Sequence, residues 1–177
     1  MRKVLYILGE LSDSDIEWLI ATGRKEQLEA GAVLIYQDKP IDAVYIVLDG
    51  SLSVGTGRGD REIARLGAGE MVGEMSFIDA RPPSATVTAL EKSVVLAVPR
   101  QLLVSKLEQD AGFAARFYRA LAIFLSNRLR GMVSQYGYGT EQQVATDLAD
   151  ELDANILDNV YLAGSRFDHL LKRLLAS

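Results

Sequence analysis

Between residues 67 and 90 the chain reads GAGEMVGEMSFIDARPPSATVTAL, and these residue types could build a pocket for a small ligand. Gly67, Gly69 and Gly73 are closely spaced, and glycine lets a backbone approach a ligand with no Cβ in the way. A short helix opening at Gly73 and Glu74 aims unpaired N–H groups at an anion. The Glu74 carboxylate cannot bind phosphate, but it accepts hydrogen bonds from sugar hydroxyls. Together these features suggest a pocket for a sugar phosphate. The same residues also fit a strand, a glycine-rich turn and a second strand of any β-barrel.

The flanking elements have to hold this stretch in place. From Arg24 onward, short β-rich segments alternate with turn signals at a spacing of roughly 8–12 residues, the mark of a sandwich or barrel. Strands are expected over residues 32–36, 43–48, 51–54, 61–66, 86–90 and 94–98, with residues 84–88 reading as a strand already from Ser84. Asp38-Lys39-Pro40 reads as a turn, Asp49-Gly50 as the hairpin between residues 43–48 and 51–54, and residues 55–60 as a hairpin tip. Upstream, residues 4–8 form either a strand or the lead-in to a helix. Ser12 and Asp13 cap a helix that stops near Gly23, with Ile16, Leu19 and Ile20 on one face and Trp18 as a packing residue. Downstream, Pro99 opens a helix to about Leu107. Asp110 caps a longer one in which Phe113, Phe117, Leu121, Phe124, Leu125, Leu129 and Met132 recur every three or four residues. That stripe is wide enough to face both a barrel and another helix. Gly137-Tyr138-Gly139 reads as a linker, residues 142–157 as a helix, and Ser165 as the cap of a last helix over residues 166–175.

Composition narrows the function classes. The chain has 177 residues, 49% of them apolar, and no apolar run near the roughly 20 residues of a transmembrane helix. It has no cysteine, which excludes disulfides, thiol nucleophiles and cysteine-based metal sites. The single histidine, His169, reads as a structural or surface residue. No nucleophile–base pair, metal-ligand spacing or phosphate loop is present, so neither catalysis nor a metal is expected. A net charge of −5 argues against a general affinity for nucleic acid or anionic membranes, and these facts together point to the cytoplasm.

Gly73-Glu74-Met75-Ser76-Phe77, followed by Arg81-Pro82-Pro83-Ser84-Ala85-Thr86-Val87, resembles the phosphate-binding cassette of cyclic-nucleotide-binding domains. That pattern is roughly Phe-Gly-Glu-Leu-Ala-Leu, a short gap, then Arg-Ala/Ser/Thr-Ala-Thr-Val. The resemblance covers residues 11–136. It departs at two positions: Pro83 aligns with the arginine that pairs with the cyclic phosphate, and Val72 stands where phenylalanine is usual.

The resemblance implies a mainly β fold with flanking α-helices, a jelly-roll-like β-barrel (double-stranded β-helix). A helix precedes the barrel, and a long helix and a helical tail follow it. The domain is expected over residues 11–136 and a helical appendage over residues 140–177. The implied ligand is cyclic AMP or cyclic GMP. Glu74 is then the ribose acceptor, with Val72, Gly73 and Met75 beside it supplying backbone. Pro83 replaces the phosphate arginine, Ser84 offers a hydroxyl and an N–H, and Ala85 and Thr86 continue the cradle. Arg81 can swing back to the phosphate, and Met132 and Val133 are the lid positions. The long helix, residues 113–133, is expected to pair two copies into a homodimer, with residues 166–175 covering part of that interface or the pocket mouth. Alternatively the tail packs on the long helix and leaves a monomer. The implied role is a regulatory sensor signalling through a partner protein, with no DNA or membrane contact. The other reading is an interaction module that kept the fold and lost the ligand.

Overall fold

In the computed structural model, which describes residues 5–56, 61–136 and 154–175, the short strands assemble into two antiparallel four-stranded sheets. The first has the order β1 (Arg24–Leu28), β8 (Ser93–Pro99), β3 (Ala43–Asp49), β6 (Met71–Val72). The second runs β2 (Val33–Ile35), β7 (Thr86–Ala89), β4 (Ser51–Thr56), β5 (Arg61–Gly67). This is the expected jelly-roll barrel with flanking helices.

The unbroken apolar run AVYIVL in β3 has a direct cause. Successive side chains point to opposite faces of a strand, and both faces of β3 are covered. Tyr45 and Val47 join Leu52, Val87, Val95 and Ala97 in the core between the sheets. Val44, Ile46 and Leu48 join Leu96, Val98 and the helices on the other side. An alternating polar pattern at this position would expose one of the two cores.

Asp49-Gly50 is a corner between sheets, not a hairpin. β3 pairs with β8 and β6, whereas β4 pairs with β5 and β7. Gly50 has φ 88°, and a Cβ there would lie 2.3 Å from Ser93 Oγ, so a dipeptide suited to a hairpin instead lets the chain change sheets. The β4–β5 hairpin forms as expected, though its tip, residues 57–60, lies outside the described residues. β1, RKEQL, carries no apolar alternation; it is an edge strand beside β8, where charged side chains discourage further pairing.

Locally signalled helices appear where the sequence places them. Residues 5–10 resolve as helix α1 (Leu5–Glu10). Helix α2 (Asp13–Thr22) begins with a capping box between Ser12 and Asp15, and Trp18 packs against Phe113 with ring centroids 5.4 Å apart. Helix α4 (Arg100–Gln109) follows Pro99. Helix α5 (Ala111–Tyr136) is capped by Asp110, whose Oδ1 accepts from the Phe113 N–H at 2.9 Å. Phe113, Phe117, Leu121 and Phe124 of α5 are buried in the core shared with α2 and the first sheet.

The tail departs from expectation. Helix α6 (Ala154–Leu175) passes through Gly164 and Ser165 without a break, so Ser165 caps nothing. Ala163 and Leu170, two turns apart on one face, are both buried, and that packing outweighs the weak helix propensity of Gly164 and Ser165. The main seat of α6 is the N-terminal helices α1 and α2, with α1 also touching α5. Arg166 donates from Nε to Asp13 at 2.7 Å and from Nη1 to the carbonyls of Leu8 and Gly9 at 3.1 and 3.0 Å. His169 Nε2 lies 2.5 Å from Glu17 Oε1, and Arg173 reaches the same carboxylate at 3.3 Å. The cover expected from residues 166–175 is thus placed on α1 and α2. Leu8, Ala163 and Leu170 lie outside residues 11–136 yet share the core cluster of α2 and α5, so α1 and α6 are built onto the barrel. The expected linker and most of the helix over residues 142–157 fall in residues 137–153, outside the described set.

Candidate ligand-binding site

β6 carries Val72, buried and paired with Tyr45 of β3, to the start of the cassette. Gly73 then turns the chain with φ 88°. A Cβ at Gly73 would lie 2.9 Å from Ile41 Cδ1 and 3.3 Å from the Ala43 carbonyl oxygen, so both the left-handed backbone and the close packing call for glycine. The same Cβ would come within 3.7 Å of Ile35, which pairs with Val87 of β7. The two halves of the cassette therefore meet at the same part of the barrel, on either side of Ile35.

Helix α3 (Glu74–Asp79) is short and is fixed by side chains from distant elements. At its carboxyl end Ala80 takes a left-handed φ of 58°. Arg100 of α4 donates to the carbonyls of Ser76 and Phe77 at 2.8 and 3.4 Å, with its guanidinium 5.4 Å from the Phe77 ring centre. Phe77 meets Phe117 of α5 edge-on at 6.0 Å, wedging α3 against the long helix.

At the amino end, Glu74 is 1% exposed. Its Oε1 accepts from Arg128 Nη1 of α5 at 2.6 Å, while Arg128 Nη2 donates to the Met71 carbonyl at 3.3 Å. The guanidinium also lies over the Phe124 ring, 4.6 Å from its centre. Burial pushes the Glu74 carboxyl above the ordinary glutamate range; the positive charge of Arg128 and a backbone hydrogen bond pull it back only in part. A buried acceptor with its paired cation on another element can receive a hydroxyl and face an anion at once.

The second half of the cassette is stitched to the turn at residues 36–40. The buried Pro83 offers its carbonyl to the Asp38 N–H at 2.9 Å, and Thr86 Oγ1 accepts from the Gln37 N–H at 3.1 Å. Thr86 thus gives one acceptor lone pair of its hydroxyl to the scaffold. Asp38 has φ 60°, the left-handed turn that aspartate tolerates. Ser84 is exposed, Ala85 half-buried, and Met75 projects outward at 55% exposure. Arg81 is exposed; its Nε lies 3.9 Å from Asp79 Oδ2, and its backbone N–H donates to Asp79 Oδ1 at 3.0 Å. Here Arg81 faces Asp79. Met132 and Val133 belong to α5 beyond Arg128, and their side chains lie outside the described set. Among the described residues no group of three histidine, aspartate or glutamate side chains is placed to hold a metal ion.

Sequence reasoning missed Arg128 and Arg100. One signal was available for Arg128. Phe124, Arg128 and Met132 stand four apart, so a charge interrupts an apolar series, and a carboxylate buried as deeply as Glu74 needs a cation.

The cyclic nucleotide-binding domain family matches residues 25–110. The Pycsar effector protein PaPycTIR of Pseudomonas aeruginosa is 40% identical over 81 residues, 45% of this chain and 26% of that protein. Lysophospholipase nte1 of Emericella nidulans is 30% identical over 124 residues, 68% of this chain; the match spans only 7% of the fungal protein's length. Among solved structures, a cyclic nucleotide-binding domain from Methylobacillus flagellatus superposes with a TM-score of 0.70 at 22% identity, covering 80% of this chain and 85% of that one. Residues 25–110, which hold most of the barrel, match that family's model, and the superposition shows that the barrel has the fold of such a domain. No helix among the described residues is long and apolar enough to cross a membrane.

Proposed function

We propose that this chain is a cyclic-nucleotide-sensing regulatory module, not an enzyme. It binds cyclic AMP or cyclic GMP at residues 72–75 and 83–86 and signals in the cytoplasm through a protein partner, without touching DNA or a membrane. The observation that carries this reading is Glu74, a buried carboxylate at the cassette position that takes a ribose hydroxyl, bonded to Arg128 of α5. Any ligand that engages Glu74 changes the restraint on the long helix. A second copy pairing through residues 113–133 is supported by Tyr118 and Leu129, 50% and 62% exposed on α5. Leu121 lies in the protomer's own core, so Leu129→Asp is the variant that should yield a monomer mass in light scattering.

Titration calorimetry with both cyclic nucleotides tests the ligand. The wild type should bind, and Pro83→Arg should tighten binding by about tenfold to a hundredfold, the value of one charge-assisted hydrogen bond. Heat from neither protein favours the second reading, an interaction module. Pro83, which has neither guanidinium nor N–H, and a Glu74 already paired with Arg128 support that alternative.

A further inference from the structure

The cassette has lost its phosphate cation at Pro83, and Arg81 faces Asp79 at the surface. The cation that remains against the cassette carboxylate is Arg128, at 2.6 Å from Glu74. It comes from a different element, α5. We infer that Arg128 takes over the phosphate-binding role, holding the Glu74 carboxylate with one edge of its guanidinium and the ligand's phosphate with the other.

Ligand chemistry sets the distance to be bridged. In a 3′,5′-cyclic nucleotide the phosphate is esterified to the carbon next to the one bearing the 2′-hydroxyl. A hydroxyl bonded to Glu74 therefore brings an anionic oxygen close to the cation that Glu74 already holds. Guanidinium has five N–H donors in a planar fork and is suited to paired oxygen acceptors, which a single ammonium is not. Arg128 commits Nη1 to Glu74 and makes only a long contact, 3.3 Å, from Nη2 to the Met71 carbonyl. That second contact is the one a phosphate oxygen would displace. Its side chain is 30% exposed, so it is not sealed in the core as Glu74 is, and its guanidinium is steadied on Phe124. The arrangement makes Arg128 a specificity-determining residue: it separates cyclic nucleotides from the corresponding nucleosides, which present the same hydroxyls without charge.

This inference rests on the nucleotide-sensing reading above, and wild-type binding separates the two. Calorimetry on the full chain uses cyclic AMP, cyclic GMP, adenosine and guanosine. The wild type should prefer a cyclic nucleotide to its nucleoside by more than about tenfold. Arg128→Gln should erase that preference while leaving nucleoside affinity within about threefold, and Pro83→Arg in the same chain should restore it. A thermal melt checks that the glutamine variant is folded. If it is not, Arg128→Lys keeps Glu74 paired but loses the fork, and should reduce the preference without abolishing it. Equal losses for nucleotide and nucleoside would make Arg128 a positioning residue for Glu74 and overturn the inference, as would an unchanged preference. A wild type that binds none of the four ligands overturns the sensing function itself.

Discussion

Asp15 and Glu74 are both buried, at 2% and 1% exposure, and each meets an arginine of α5, yet the two sites are built differently. Asp15 receives a forked pair from Arg116, Nε to Oδ2 at 2.6 Å and Nη2 to Oδ1 at 2.9 Å. The Ser12 N–H adds a third donor at 2.7 Å. Burial pushes the Asp15 carboxyl up, but these donors outweigh it and hold the group below the ordinary aspartate range. Glu74 has one guanidinium bond, from Arg128, and a backbone hydrogen bond; its helix lacks a side-chain cap, and burial wins. The same pair of charges makes a fork that fixes α2 to α5 in one place and a single guanidinium bond in the other.

Removing the arginines should produce the largest effect. Arg116→Ala leaves Asp15 buried and charged, and should cost about 3 kcal/mol in urea unfolding at neutral pH. Arg128→Ala should cost less, because Glu74, already raised, can take up a proton. Near pH 5 the Arg128→Ala defect should shrink while the Arg116→Ala defect persists.

Neutral isosteres should then separate the sites in size. Asp15→Asn loses charge-assisted bonds and should cost about 2 kcal/mol. Glu74→Gln removes a poorly solvated charge and should change stability by less than about 1 kcal/mol. Equal destabilisation by both would show that Glu74 is as structural as Asp15.

The pH dependence of stability carries the same contrast in opposite directions. Asp15 is depressed, so its contribution is present above its ordinary value of 3.8 and is lost as pH falls through the lowered folded-state value. Glu74 is raised, so its contribution is complete below 4.5 and is lost as pH rises through the folded-state value. Comparing denaturation curves of the wild type with Glu74→Gln from pH 4 to 7 should show the downward slope above 4.5 disappear in the variant. A small effect is also expected for Ser12→Ala, which removes half of the capping box at Asp15. It should cost about 1 kcal/mol, measured in the same unfolding assay.

Much of this architecture was legible because its causes are local. Ser12, Asp110 and Pro99 mark helix starts through their own side chains or ring, and all three helices begin there. Gly73-Glu74 opens α3 because a left-handed turn packed against Ile41 and Ala43 leaves no room for a Cβ. The apolar run of β3 announces a strand covered on both faces.

Other features answer to partners far along the chain. Asp49-Gly50 has the composition of a hairpin, but whether the next strand returns to its neighbour or crosses to the other sheet depends on which edges β8 and β6 occupy. β1 carries no apolar pattern, since only the edge of β8 makes it a strand. α6 ignores the capping signal at Ser165 because α1 and α2 present a surface that buries Ala163 and Leu170 together. The sequence by itself therefore determined the barrel, its helical flanks and the cassette carboxylate, since turns, caps and strand periodicity act within a few residues. Only the tertiary structure decided that Arg128, 54 positions from Glu74, is that carboxylate's partner, because a buried charge takes whichever cation the packing of distant elements brings within reach.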